Sequence, residues 1–269
     1  MKRKLEELNL MDDFLFGELL SYPQYGEEFA RALLETIFGR RFGRLVVVPQ
    51  KTYFGMDTDK HGARLDVFIE EREDQEAVTA VYHMEAQKRK LNLAALLRRM
   101  RFYHAKIDSA SLGTDEEYED LRMVISIVIL PYDPLGAGRM VYTIKNCCME
   151  QPELPYEDGA RTLFLYTKGT KGDPPEALRQ MLRYFEDTRA ENVENETLKE
   201  IHYMVEHIRK DKGVSSKYML WGEHERELRA EGREEERQNT ERERRRAEIA
   251  EARVAELTRQ VQLLKEQRS

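Results

Sequence analysis

Three side chains in one stretch have the types and spacing to face one hard metal ion. They are Asp66, Glu85 and Gln87, in Ala63–Gln87, which reads ARLDVFIEEREDQEAVTAVYHMEAQ. Arg64–Ile69 alternates as a half-buried strand does. Ala77–Gln87 is rich in Val, Thr and Tyr, residue types that strands favour. With the charged tip Glu70–Glu76 between them, the two runs read as a β-hairpin. Opposite residues of a hairpin sit symmetrically about the turn, and the midpoint between Asp66 and Glu85 falls between Gln75 and Glu76. Asp66 is therefore expected to face Glu85, with Cβ atoms ~5 Å apart. Alternation puts Glu85 and Gln87 on one face and Met84 and Ala86 on the other. Two carboxylates that close repel unless a cation or proton joins them. Hard oxygen donors suit Mg²⁺ or Mn²⁺. The plainer alternative is a hairpin with a solvated acidic side. The apolar neighbours Leu65, Val67, Val81 and Met84 favour acids set inside a sheet, where a partly buried charge needs a partner.

Arg64-Leu65-Asp66-Val67, a hairpin, and then Met84-Glu85-Ala86-Gln87 resemble the Rpn-type recombination-promoting nucleases and putative transposases of the PD-(D/E)XK superfamily. Asp13-Phe14-Leu15-Phe16 is similar to the start of that domain, although Gly17 stands where the family usually has Lys. The resemblance implies a restriction-endonuclease-like mixed β-sheet flanked by helices. It also implies Asp66 and Glu85 as metal ligands and Gln87 as the third active-site residue, in place of the superfamily's Lys. The activity implied is metal-dependent DNA cleavage. An amide does not titrate, so Gln87 can orient a water or bond a phosphate oxygen but cannot act as a base. A slower enzyme and an inactive adaptor both fit that substitution. Glu18 reads either as a further acid from the first helix or as a surface residue.

The elements around the hairpin follow from periodicity. Helices are expected at Phe14–Leu20, with Asp12 or Asp13 as cap, and at Glu27–Phe38, ending at Gly39. Leu45–Pro49 reads as a short strand. After the hairpin come Lys88-Arg89-Lys90 and a helix on which Leu93, Leu96, Leu97, Met100, Tyr103 and Ile107 keep a helical period. Arg98, Arg99, Arg101 and Lys106 add a cationic side. Lys88, Arg89, Arg98, Arg99 and Arg101 are the expected DNA contacts, because a phosphodiester backbone docks on such charges. A merely solvated helix face is the alternative. Leu121–Leu130, LRMVISIVIL, is apolar but for Arg122 and Ser126 and reads as a central strand covered on both faces. Further strands are expected in Arg139–Cys147 and Thr162–Tyr166, and helices over Pro175–Arg189 and Val193–Lys210.

Other chemistries are disfavoured by their missing parts. His83-Met84-Glu85 matches half of a zinc-deaminase motif, without the Pro-Cys-x-x-Cys half. Cys147 and Cys148 are adjacent, which is the wrong spacing for a zinc site. A calcium loop over Asp57–Phe68 fails because His61 and Phe68 stand where oxygen ligands are needed. Lys168–Gly172 lacks the spacing of a P-loop.

The chain has 269 residues, 41% hydrophobic and 35% charged, with a formal net charge of −7. That suffices for one core plus an extended charged segment. Two cysteines give no disulfide framework. No apolar run reaches membrane-spanning length, and the N-terminal residues carry no secretory pattern, so a cytoplasmic protein without a membrane partner is expected. The expected organisation is a nuclease-like domain over residues 1–215 and a charged helical tail over 216–269. Glu223–Arg246 is nearly all Glu and Arg and reads as a solvated or partly disordered helix. Ala247, Ala250, Val254, Leu257, Val261 and Leu264 then alternate three and four apart. Three heptads are near the minimum for a coiled coil, so 247–264 reads as either a homodimer contact or a lone helix.

Overall fold

The computed structural model describes residues 3–49, 51–53, 63–64, 67–73 and 77–266. The chain divides into two compact units, Met1–Val214 and Ser215–Ser269. The first is a mixed α/β unit built on a six-stranded sheet. Its strands are β1 (Arg44–Pro49), β4 (Val67–Glu73), β5 (Ala77–Ala86), β6 (Met123–Leu130), β7 (Val141–Ile144) and β8 (Ala160–Tyr166). Two short strands, β2 (Thr52–Tyr53) and β3 (Ala63–Arg64), pair separately. The sheet order is β1-β4-β5-β6-β8-β7. The β1-β4-β5 half is antiparallel, β5, β6 and β8 run parallel, and β7 closes the far edge antiparallel.

The hairpin keeps the expected register from Val67 to Glu71, and a β-bulge between Glu71 and Arg72 then shifts the pairing by one residue, to Arg72 with Val78 and Glu73 with Ala77. Val67 pairs with Met84, Phe68 with His83, and Ile69 with Tyr82. These pairs share the symmetry point between Gln75 and Glu76. The strand itself reaches further into the acidic run than alternation suggests. Glu70–Glu73 belong to β4, where β5 pairs the whole stretch and β1 pairs Glu70–Arg72 from the other side. The charges are accommodated by partners: Arg40 grips both oxygens of Glu71 at 2.8 and 2.7 Å, and Arg72 meets Glu70 at 2.5 Å.

Helices cover both faces of the sheet. On one lie α1 (Asp13–Ser21), α2 (Gly26–Phe38), α4 (Glu176–Glu186) and α5 (Glu196–Lys210). Phe16 joins three of these elements through Phe29 and Phe185, and Tyr82 of β5 packs on Phe38. Helix α2 ends where Gly39 takes φ 65°, the left-handed conformation glycine adopts without steric cost. The opposite face is covered by α3 (Leu93–Ser111), started by the Asn92 side chain accepting from the Ala94 N–H at 2.9 Å. Leu96, Met100 and Ile107 are its buried positions, while Leu93 and Leu97 stay exposed. β6 is buried from Val124 to Leu130, as a strand covered on both faces must be.

The second unit is formed by most of α6 (Lys212–Glu266), a 55-residue helix. Its exposed ion pairs include Arg245–Glu241 and Arg244–Glu248 at i,i+4 spacing. Such pairs support the charged stretch of this helix by a few tenths of a kcal/mol each, about 0.2–0.5. Among the described residues, no helix is long and apolar enough to cross a membrane.

Candidate functional site

β5 positions the expected site. Its odd-numbered residues, Val81, His83 and Glu85, alternate onto the face under α3, while Tyr82, Met84 and Ala86 face the other helices. A ladder of α3 side chains four apart lies over them. Arg99 reaches Glu85, the Tyr103 ring meets His83 edge-on at 5.1 Å, and Ile107 packs with Val81 and Phe68. At Glu85 the expected acidic face is therefore covered by α3 rather than open.

Glu85 sits at the C-terminal end of β5 with only 7% of its side chain exposed. Arg99 Nη2 donates to Glu85 Oε1 at 2.5 Å and to Gln87 Oε1 at 3.0 Å. Gln87 Nε2 in turn donates to the Arg89 carbonyl at 2.8 Å, and its backbone N–H donates to the Ile129 carbonyl on β6. Glu85, Gln87 and Arg99 thus form one fixed group at the carboxyl ends of two parallel strands, a usual place for ligands in open α/β sheets. Asp66 lies outside the described residues. β4 begins at Val67, opposite Met84, at this same end of the sheet. Among the described residues, no group of three or more His, Cys, Asp and Glu side chains is arranged to hold a metal ion. The donor chemistry at Glu85, a buried carboxylate oxygen, suits a hard cation rather than a soft one.

The five expected DNA contacts divide into two groups. Arg99 faces inward onto Glu85, with 27% of its side chain exposed. Lys88 donates to Asp12 Oδ1 at 2.6 Å. Arg89, Arg98 and Arg101 are exposed. Asp12 occupies the cap position of α1 without bonding the helix N–H groups. Burial raises its pKa, but bonds from Lys88, the Asn9 N–H and Arg3 outweigh that and hold the carboxyl below its usual range.

Residue types alone miss a polar row beneath α3. His83, Ser126 and Thr162 pair in register across β5, β6 and β8. The row separates two apolar clusters, one around Val128, Leu130 and Phe164 and the other around Phe68, Val81 and Val124. His104 of α3 approaches Thr162 at 3.4 Å, and His83 Nδ1 approaches Ser126 Oγ at 3.4 Å. His83 is fully buried, and its Nε2 has no hydrogen-bond partner among the described residues. Burial, with help from His104 and Arg99, pushes its pKa down to about 3. It is therefore neutral near neutral pH. Lys51 is a second residue the spacing could not flag. Its ammonium stands 3.5 Å from the Phe68 ring centroid, and burial lowers its pKa. The partial signal for His83 was its place in the alternating strand; Lys51 had none.

Compared with known proteins, the chain matches no family model, no curated protein and no solved structure. The family resemblance therefore rests on the residues quoted for it.

Proposed function

We propose that this chain is a metal-dependent DNA endonuclease with a restriction-endonuclease-like domain, hydrolysing phosphodiester bonds at a centre of Asp66, Glu85 and Gln87. The observation that carries the reading is Glu85 itself. A carboxylate sits buried at the end of a central strand, next to the Val67–Met84 pair, and Asp66 immediately precedes Val67 in the sequence. Such an acid needs compensating positive charge. A mixed sheet flanked by helices is also the frame that the family resemblance implies. Mg²⁺ or Mn²⁺ held by Asp66 and Glu85 would polarise the phosphate and lower the pKa of a bound water. Gln87, held by Arg99, has the fixed orientation needed to place a water or a phosphate oxygen. Arg89, Arg98 and Arg101 supply exposed cations near the same strand ends for the DNA backbone.

A second reading has its own supporting observation. Arg99 already compensates the Glu85 carboxylate and occupies Gln87. A nuclease-fold adaptor without turnover would need nothing more at this position. Nicking of supercoiled DNA with Mg²⁺ separates the two. The nuclease reading expects activity in the wild type and a loss of at least 100-fold in Asp66→Ala. Equal activity in both proteins removes the assignment, and no activity in either favours the adaptor.

A further inference from the structure

The end of α6 presents an apolar ridge. Val254 is 64% exposed and Leu257 45% exposed, and Ala247 and Ala250 are exposed on the turns before them. In sequence the ridge continues through Val261 and Leu264. An apolar stripe at alternating three and four spacing on a single long helix wants a partner helix.

We propose that this stripe pairs with the same stripe of a second copy of the chain, as a parallel two-stranded coiled coil confined to about residues 247–264. The residue types point to the occupant. With Ala247, Val254 and Val261 at heptad position a, the d positions are Ala250, Leu257 and Leu264. β-branched side chains at a with leucine at d favour two parallel strands. The flanking charges point to the orientation. Arg246 takes a g position and Glu251 the following e position, so a parallel pair sets each Arg246 against Glu251 of the other copy. An antiparallel pair sets g against g, and Arg246, Arg253 and Gln260 bring no acid to meet one another. The Arg246–Glu243 pair within the helix, at 2.8 Å, is exposed on both sides. Exposed pairs of this kind exchange at little cost.

The limits of the contact follow from the same frame. Continued upstream, a and d fall on Thr240, Glu243, Arg233 and Glu236, which cannot form a dry seam. The contact is short, so pairing depends on concentration. A parallel pair brings the amino-terminal ends of both helices to one end of the coil. The inference does not depend on nuclease activity.

Light scattering and sedimentation of the full chain test it. The expected mass is about twice 31.8 kDa, falling toward monomer on dilution. Leu257→Glu, at the centre of the seam, should abolish the dimer. Ile249→Glu should leave it intact, because Ile249 is 71% exposed but off the seam. With Cys147 and Cys148 both replaced by Ser, Leu264→Cys should link to itself on oxidation. A monomer at every concentration overturns the proposal, as does a dimer that survives Leu257→Glu. Linkage of Ala247→Cys to Leu264→Cys, without self-linkage of Leu264→Cys, overturns the parallel orientation.

Discussion

The two faces of the central sheet are made by the same strands and do different things. Under α1, α2, α4 and α5 the inward residues are Tyr82, Met84, Ile125, Ile127, Ile129 and Leu165, all buried and nearly all apolar. Under α3, one residue away on each strand, lie His83, Glu85, Ser126 and Thr162, with Arg99 and His104 above them. Apolar burial contributes roughly 25 cal/mol per Å² without directional demands. Buried polar groups cost free energy unless each finds a partner. The first face is therefore packed throughout by apolar side chains, whereas the second, between its two apolar clusters, also carries polar and charged groups that such packing does not require. A sheet can afford one such layer when the other is so uniformly apolar.

The sharpest way to test the contrast is a truncation on the apolar face. Ile127→Ala should lower unfolding stability by about 2–5 kcal/mol, through lost burial and a cavity that cannot collapse. Urea denaturation with an unchanged m-value would show it. The next effect is at Arg99. Arg99→Ala removes the main cation from a buried carboxylate and should cost about 2 kcal/mol. That is below the 3–5 kcal/mol of fully buried pairs, because Arg99 keeps 27% exposure. Replacing both Glu85 and Arg99 by Leu should recover most of the loss. A double variant as unstable as the single one would mean that the pair stabilises the fold beyond compensating its own burial.

The last effect is a pH dependence. His83 has a folded pKa of about 3 against an ordinary value of 6.5. Between these values the unfolded chain binds a proton that the folded one refuses. The stabilisation is whole above about pH 6.5 and is lost progressively as pH falls toward 3. Denaturation at pH 7.5 and pH 5 should show this slope in the wild type and a shallower one in His83→Leu. An equal slope in both would place the acid sensitivity elsewhere.

Much of this arrangement can be read from residue order, for definable reasons. The symmetry of the hairpin sets its register as far as the bulge, and a short, β-branched, almost wholly apolar run such as Met123–Leu130 reads as a strand covered on both faces. The extension of β4 into Glu70–Glu73 is invisible locally, because Arg40, which stabilises it, lies about thirty residues away in the chain. Helical period identifies α3 but not its angle on the sheet. Leu93 and Leu97 fit the period yet stay exposed, while Arg99 turns inward because Glu85 lies beneath it. Lys88 likewise looks like a surface cation until Asp12 is seen beside it. Charge composition alone cannot separate a cation that closes a buried pair from one facing solvent.

The central claim is that Asp66 and Glu85 together hold a divalent cation at the end of β5. Titration of Mn²⁺ into the full chain, followed by the electron paramagnetic resonance signal of the free ion, tests it most directly. One ion should bind per chain in the wild type, and binding should weaken at least tenfold in both Asp66→Asn and Glu85→Gln. Binding that is absent from the wild type, or unchanged in both variants, would contradict the claim.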